Sequence, residues 1–149
     1  MKILIVRVTK AEVLAGESTI SSINKGIAIF IGFKINERPE SFDSLAEKVV
    51  NLRIFENEKG KLHYSVKDKN YQMLCIPNFT LCANTERGRR PSFEEAMPPK
   101  DAYTAFNKFV SLLKSKGMDV QVGRFGAHMQ ISLELDGPVN IVLDSKSCV

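Results

Sequence analysis

The chain has 149 residues, 44% hydrophobic and 26% charged, with a formal net charge of +4. That size and balance describe a single domain, 1–149, with enough apolar residues for a core, and the mild positive surplus permits a nucleic-acid partner without demanding one. No apolar run reaches the ~18 residues of a membrane helix, and the opening apolar segment is too short for a secretion signal, so no membrane partner and a cytoplasmic location are expected.

Residues 2–8 read as a buried strand rich in β-branched side chains, interrupted by Arg7, whose charge must find a partner or reach water. Glu12 to Ala15 and Ser18 to Ile23 read as a hairpin around Gly16-Glu17. Residues 26–33 are apolar throughout and predict a central strand. After the turn residues Asn36 to Pro39, Phe42, Leu45, Val49 and Leu52 recur at helical spacing, with Ser41 as the expected cap. Two short strands around a turn at Glu58 to Gly60 follow, then a loop from Ser65 to Asn70.

Tyr71 to Ile76 predicts a strand that Pro77 ends or bulges. Pro98-Pro99 opens a helix, with Pro99 at the first helical position, Phe106, Phe109, Val110 and Leu113 on one face, and Gly117 as the stop. Val120 to Gly123 predicts a short strand, Arg124 to His128 a turn, Met129 to Leu135 a strand and Val139 to Leu143 the last one. On spacing alone, Asp136-Gly137-Pro138 is a tight turn between these two. Many short strands, two main helices and no strand–helix alternation predict an α+β, mainly β fold. The expected architecture is an antiparallel, barrel-like sheet with the helices packed outside.

The chemistry concentrates in residues 75–93. An apolar strand there delivers Asn78, Phe79 and Thr80 to its end, beside a loop holding Arg87, Arg89 and Arg90 around Gly88. Three arginines at a loop suit phosphate oxygens, although a solvated loop has the same composition. Thr80 is the obvious nucleophile but has no base near it in sequence, so an orienting role is favoured. Pairing of Cys82 with His128 has nothing in the sequence to support it. The three cysteines (Cys75, Cys82, Cys148) lack CxxC spacing and the two histidines (His63, His128) are far apart. Reduced thiols, no metal and no cofactor are expected.

These segments together resemble the D-aminoacyl-tRNA deacylases of the bacterial and eukaryotic type. The likeness spans essentially the whole chain. It runs through Arg7-Val8, residues 51–55, Phe79-Thr80-Leu81, residues 84–88, Arg90-Pro91-Ser92-Phe93, Gly123-Arg124-Phe125-Gly126 with Met129, and Asp136-Gly137-Pro138-Val139. The resemblance implies a homodimer that hydrolyses the ester between a D-amino acid, or glycine mischarged on tRNA-Ala, and the 3′-terminal adenosine of tRNA. It implies that a cis Gly137-Pro138 enters the partner subunit's pocket, and that its carbonyls hold the α-amino group and leave no room for an L side chain. Arg7 would brace that loop. Asn78, Phe79 and Thr80 would serve the ester and ribose, and Met129 would line the pocket. Arg87 with Arg89 or Arg90 would contact the acceptor stem, and the RNA's own 2′-hydroxyl would assist in place of a side-chain nucleophile.

The sequence departs from the family pattern at Pro77-Asn78, where Ser-Gln is usual, and at Val6, Leu135 and Asn140, where Gln, Asn and Thr are usual. Asn78 is one methylene shorter than Gln, and Pro77 removes a backbone donor. These departures keep two alternatives open. One is a same-fold editing enzyme with selectivity shifted toward L-alanine on a mismatched tRNA. The other is a nucleic-acid-binding chain without turnover.

Overall fold

The computed structural model describes residues 1–147; Cys148 lies outside them. A long strand, β1 (Lys2–Ala15), organises the sheet. Its first half pairs antiparallel with β3 (Gly26–Gly32), from Lys2 opposite Gly32 to Val8 opposite Gly26. Its second half pairs with β2 (Ser18–Ile23) across the expected turn at Gly16-Glu17. On its other side β1 pairs along nearly its whole length with the final strand, β8 (Gln130–Asp144). Beyond β3 lie β6 (Gln72–Pro77) and β7 (Val120–Val122), and a small hairpin, β4 (Phe55–Glu56) with β5 (Leu62–Tyr64), stands apart.

The barrel-like, mainly β architecture with two helices matches the sequence expectation. The sheet is not antiparallel throughout, however, because β3–β6 and β6–β7 are parallel. Parallel neighbours require crossovers, and the helices supply them: α1 (Ser41–Asn51) lies between β3 and β6, and α2 (Pro99–Ser115) between β6 and β7. The alternation was hidden because the β4–β5 hairpin and a long loop dilute the two units.

Both helices cover one face of the sheet. Ile3, Ile5, Ile27, Ile29 and Ile31 meet Phe42, Leu45, Val49, Phe106, Phe109 and Leu113 in one buried cluster. Phe42 packs edge-on against Phe109 at 6.3 Å, joining the two helices to each other. Residues of the opposite parity, Val6, Val8, Ala28, Leu74 and Ile76, form a second cluster on the other face. Pro99 opens α2 as expected. Ser41 does not cap α1: the cap position is Glu40, and Ser41 Oγ donates to the Arg38 carbonyl at 2.7 Å. Leu52 falls just past the helix, in extended backbone.

Asp136-Gly137-Pro138 is not a turn between two strands. β8 runs through it as one strand, pairing Leu135 with Val8 and Asn140 with Val6, so that residues 136 to 139 loop out opposite Arg7 alone. The peptide bond between Gly137 and Pro138 is cis.

Candidate active site

β6 is the innermost strand of the parallel part, and Pro77 ends it. Asn78 then caps a 3-10 turn, Phe79–Cys82, just past the strand end expected at Pro77. Asn78 N donates to the Ile31 carbonyl at 2.8 Å, fixing the turn to the end of β3. The Asn78 side-chain oxygen accepts from Thr80 N at 3.2 Å and from the Thr80 hydroxyl. The turn sits so close to β3 that a Cβ on Gly32 would lie 2.7 Å from the Asn78 carbonyl oxygen. Only glycine allows this approach.

The turn presents Phe79, 58% exposed, and Thr80 to solvent. Phe79 is held edge-on by Phe93 at 5.0 Å. Thr80 spends its hydroxyl proton on an amide oxygen, which is no base at neutral pH. Cys82 is buried with its Sγ against the Phe33 carbonyl at 3.3 Å, and Cys75 is also buried. Burial pushes both thiols up, away from thiolate reactivity. His128 is exposed in the turn before β8, and nothing pairs it with Cys82. Among the described residues no group of three or more His, Cys, Asp or Glu is placed to hold a metal ion.

Met129 comes to this end of β6 as well. A Cβ on Gly123 would meet Met129 Sδ at 3.0 Å and Pro77 Cδ at 3.4 Å, and Arg124 N lies 3.3 Å from the same sulfur. Gly123 N donates to the Cys75 carbonyl at 2.8 Å, continuing the β6–β7 ladder to the edge of the site. Pro77, Gly123 and Met129 therefore form an apolar wall beside the exposed turn.

Arg87, Arg89 and Arg90 sit in an exposed loop. Asn84 and Ser92 close its base by exchanging backbone hydrogen bonds at 2.8 and 2.9 Å, and Asn84 Oδ1 accepts from Glu86 N at 2.9 Å.

The Gly137-Pro138 loop is built separately. Arg7, with the parity of Ile3 and Ile5, points to the helix side of the sheet and is 5% exposed. An edge position in water is thus ruled out: β1 has neighbours on both sides. Its Nε donates to the Asp136 carbonyl at 2.8 Å and Nη1 to the Ile54 carbonyl at 2.7 Å, while Nη2 reaches Glu56 Oε1 at 3.3 Å. The guanidinium also lies over the Phe55 ring, 5.9 Å from its centre. Lys25 adds a second cation, 3.8 Å from the Asp136 carboxylate. Neither Ile54, Glu56 nor Lys25 carries a sequence signal for this role; tertiary packing alone brings them to Arg7. Gly137 and Pro138 project beyond this frame and are exposed.

The register keeps the two halves of the site apart within one chain. Arg7 is level with Ile27, and Ile27 with Met73, whereas the turn begins after Pro77, level with Ile31. Crossing from β8 to β6 takes three strand spacings of ~4.8 Å, and several residues of ~3.3 Å separate the two levels, so the separation along the sheet is on the order of 20 Å. Gly137-Pro138 does not line the Phe79–Thr80 turn of its own chain by this path. Of the positions departing from the family pattern, Pro77 is half-buried at the turn and Val6 is buried, while Leu135 and Asn140 are exposed beside the loop.

The family model described as D-Tyr-tRNA(Tyr) deacylase matches residues 4–144. A protein named D-aminoacyl-tRNA deacylase from Thermotoga petrophila is 44% identical over 145 residues, covering 97% of this chain and 97% of that one. Another of the same name, from Aquifex aeolicus, is 44% identical and covers 98% and 99%. A solved structure named c-Myc DNA Unwinding Element Binding Protein is similar with a TM-score of 0.91 and 37% identity, covering 97% of this chain and 98% of its own. A second, described as a probable eukaryotic D-amino acid tRNA deacylase, has a TM-score of 0.84 at 13% identity, covering 95% and 97%, and shares the fold.

Proposed function

The chain belongs to the D-Tyr-tRNA(Tyr) deacylase family, and on that premise we propose that it hydrolyses the ester joining a D-amino acid to the 3′-terminal adenosine of tRNA. The observation that carries the reading is the family match over residues 4–144, which spans every element of the site. Glycine mischarged on tRNA-Ala, lacking a side chain to exclude, is a second substrate.

The working site consists of the turn of one copy and the Gly137-Pro138 loop of a second copy. This reading rests on the separation of turn and loop within one chain and on the loop's exposure. The loop's carbonyls take the substrate's α-ammonium, and an L side chain would run into the backbone that carries them. Pro77, Gly123 and Met129 wall the pocket, backbone groups of Phe79 and Thr80 face the ester, and Asn78 holds that turn in shape. Attack by water is assisted by the RNA's 2′-hydroxyl. Support for this comes from the engaged Thr80 hydroxyl and the buried, protonated cysteines. Arg87, Arg89 and Arg90 lie on the exposed loop as phosphate contacts for the acceptor stem. The apolar wall and braced loop favour catalysis on a small aminoacyl group over binding alone, the reading that the name of one 37% identical structure, a DNA unwinding element binding protein, suggests.

Incubation of the purified protein with D-aminoacyl-tRNA tests the reading. Release of the free D-amino acid is expected, and retention of intact ester by a protein that still binds the tRNA contradicts it. Thr80→Ala removes one hydroxyl hydrogen bond, worth about 1 kcal/mol. It is expected to lower kcat/KM less than about tenfold. A loss of several orders of magnitude would identify Thr80 as the nucleophile instead.

A further inference from the structure

Beside Gly123 lies a groove of about 430 Å3, lined by residues of α2, β7, the segment that follows β7, and Ile20 of β2. Phe106, 3% exposed, packs near its base; Tyr103, 52% exposed, stands at its rim. The Phe125 ring lies between them, 5.4 Å from Tyr103 at 75° and 6.3 Å from Phe106. Asn107 and Arg124 are its polar lining, and Ile20, Val122 and Gly123 complete it. Lys100, Tyr103 and Asn107 follow one another at helical spacing, so they share a face of α2.

An exposed tyrosine could merely cap the contact between α2 and β7. More than half of its surface is nevertheless left in water beside a second ring, an amide and the Arg124 cation, with Lys100 one turn away on the same helix face. That is the composition of a platform for single-stranded nucleic acid: rings for a base, an amide for its edge and cations for the backbone. Its position narrows the occupant. Gly123 lines the groove and is also packed against Met129 and Pro77, so groove and pocket are neighbours across one glycine.

We propose that this groove receives the base of the penultimate nucleotide of the substrate's single-stranded 3′ end, stacked on Tyr103, with Arg124 and Lys100 at its phosphate and Asn107 at its edge. The terminal adenosine and its aminoacyl group then occupy the neighbouring pocket. This inference rests on the deacylase reading and adds a second subsite to it.

The test compares two esters, D-tyrosyl-adenosine and the trinucleotide D-tyrosyl-CCA, on wild type, Tyr103→Ala and Tyr103→Phe. Wild type should have the higher kcat/KM on the trinucleotide. Tyr103→Ala should lower the ratio of the two values about tenfold or more, as expected for a stacked base, and Tyr103→Phe should restore it. An equal loss on both esters, or a wild type indifferent to the added nucleotides, overturns the proposal. Failure of wild type to hydrolyse either ester would count against the deacylase reading. The groove is then judged by the affinity of labelled, uncharged CCA, which Tyr103→Ala should weaken about tenfold by the same stacking; unchanged affinity overturns it.

Discussion

Gly137→Ala is expected to reduce deacylation of D-aminoacyl-tRNA by about a hundredfold or more while leaving the fold intact. Gly137 has φ +151, which L side chains rarely adopt, and a Cβ there would lie 2.3 Å from Val139 N. The obstacle is backbone, so the loop itself must move. If its carbonyls hold the ammonium group, a displacement near 1 Å is enough to cost ~10²-fold. Gly137 and Pro138 are exposed, but the strained φ and the backbone clash should cost about 1–3 kcal/mol in urea unfolding, which leaves the protein folded. Mixing subunits shows where the loop acts. Gly32→Val disables the turn instead, since its side chain would meet the Asn78 carbonyl. Co-expressed with Gly137→Ala, it should give mixed dimers with one sound turn facing one sound loop, and about a quarter of the sites restored if subunits pair at random. No recovery would mean that loop and turn act within one chain.

The second large effect is expected at Arg7. Arg7→Met keeps the apolar stem but removes the donors to the Asp136 and Ile54 carbonyls. Leaving buried acceptors unsatisfied costs about 1–3 kcal/mol each, so a stability loss of about 2–4 kcal/mol is expected in urea unfolding. Activity should fall further than stability explains, because the loop loses its brace. Arg7→Lys should do only part of the work, since one ammonium cannot reach three partners in the directions a planar guanidinium serves. An Arg7→Met protein with unchanged stability and unchanged turnover would remove Arg7 from the account.

Much of this was legible in the sequence, and the failures have physical causes. The β-branched run of residues 2–8, the Gly16-Glu17 hairpin and the Pro99 start of α2 are local signals, and the structure keeps them. Asp136-Gly137-Pro138 misleads because the same residues make a hairpin turn or an outward loop within one strand. Only the pairing of Leu135 and Asn140 with β1 distinguishes the two. Pro77 ends β6 as its sequence implied, but the 3-10 turn that Asn78 caps after it had no local signal. Beyond the loop that the resemblance has it brace, Arg7 gave no hint of its partners, since Ile54 and Glu56 lie far along the chain. The Tyr103 groove had a faint signal, a tyrosine spaced with Lys100 and Asn107 on the polar side of α2. The resemblance supplied what local patterns did not: the expectation that the turn and the Gly-Pro loop serve one site.

The most direct measurement is the rate of ester loss from D-tyrosyl-tRNA and L-tyrosyl-tRNA, side by side, with glycyl-tRNA and L-alanyl-tRNA as companions. The account predicts fast loss of the D and glycyl esters and sparing of L-tyrosyl-tRNA, since selection is by exclusion of the L side chain. Loss of the L-tyrosyl ester at a comparable rate would contradict it, and cleavage of L-alanyl-tRNA would show that Pro77 and Asn78 accompany a shifted selectivity.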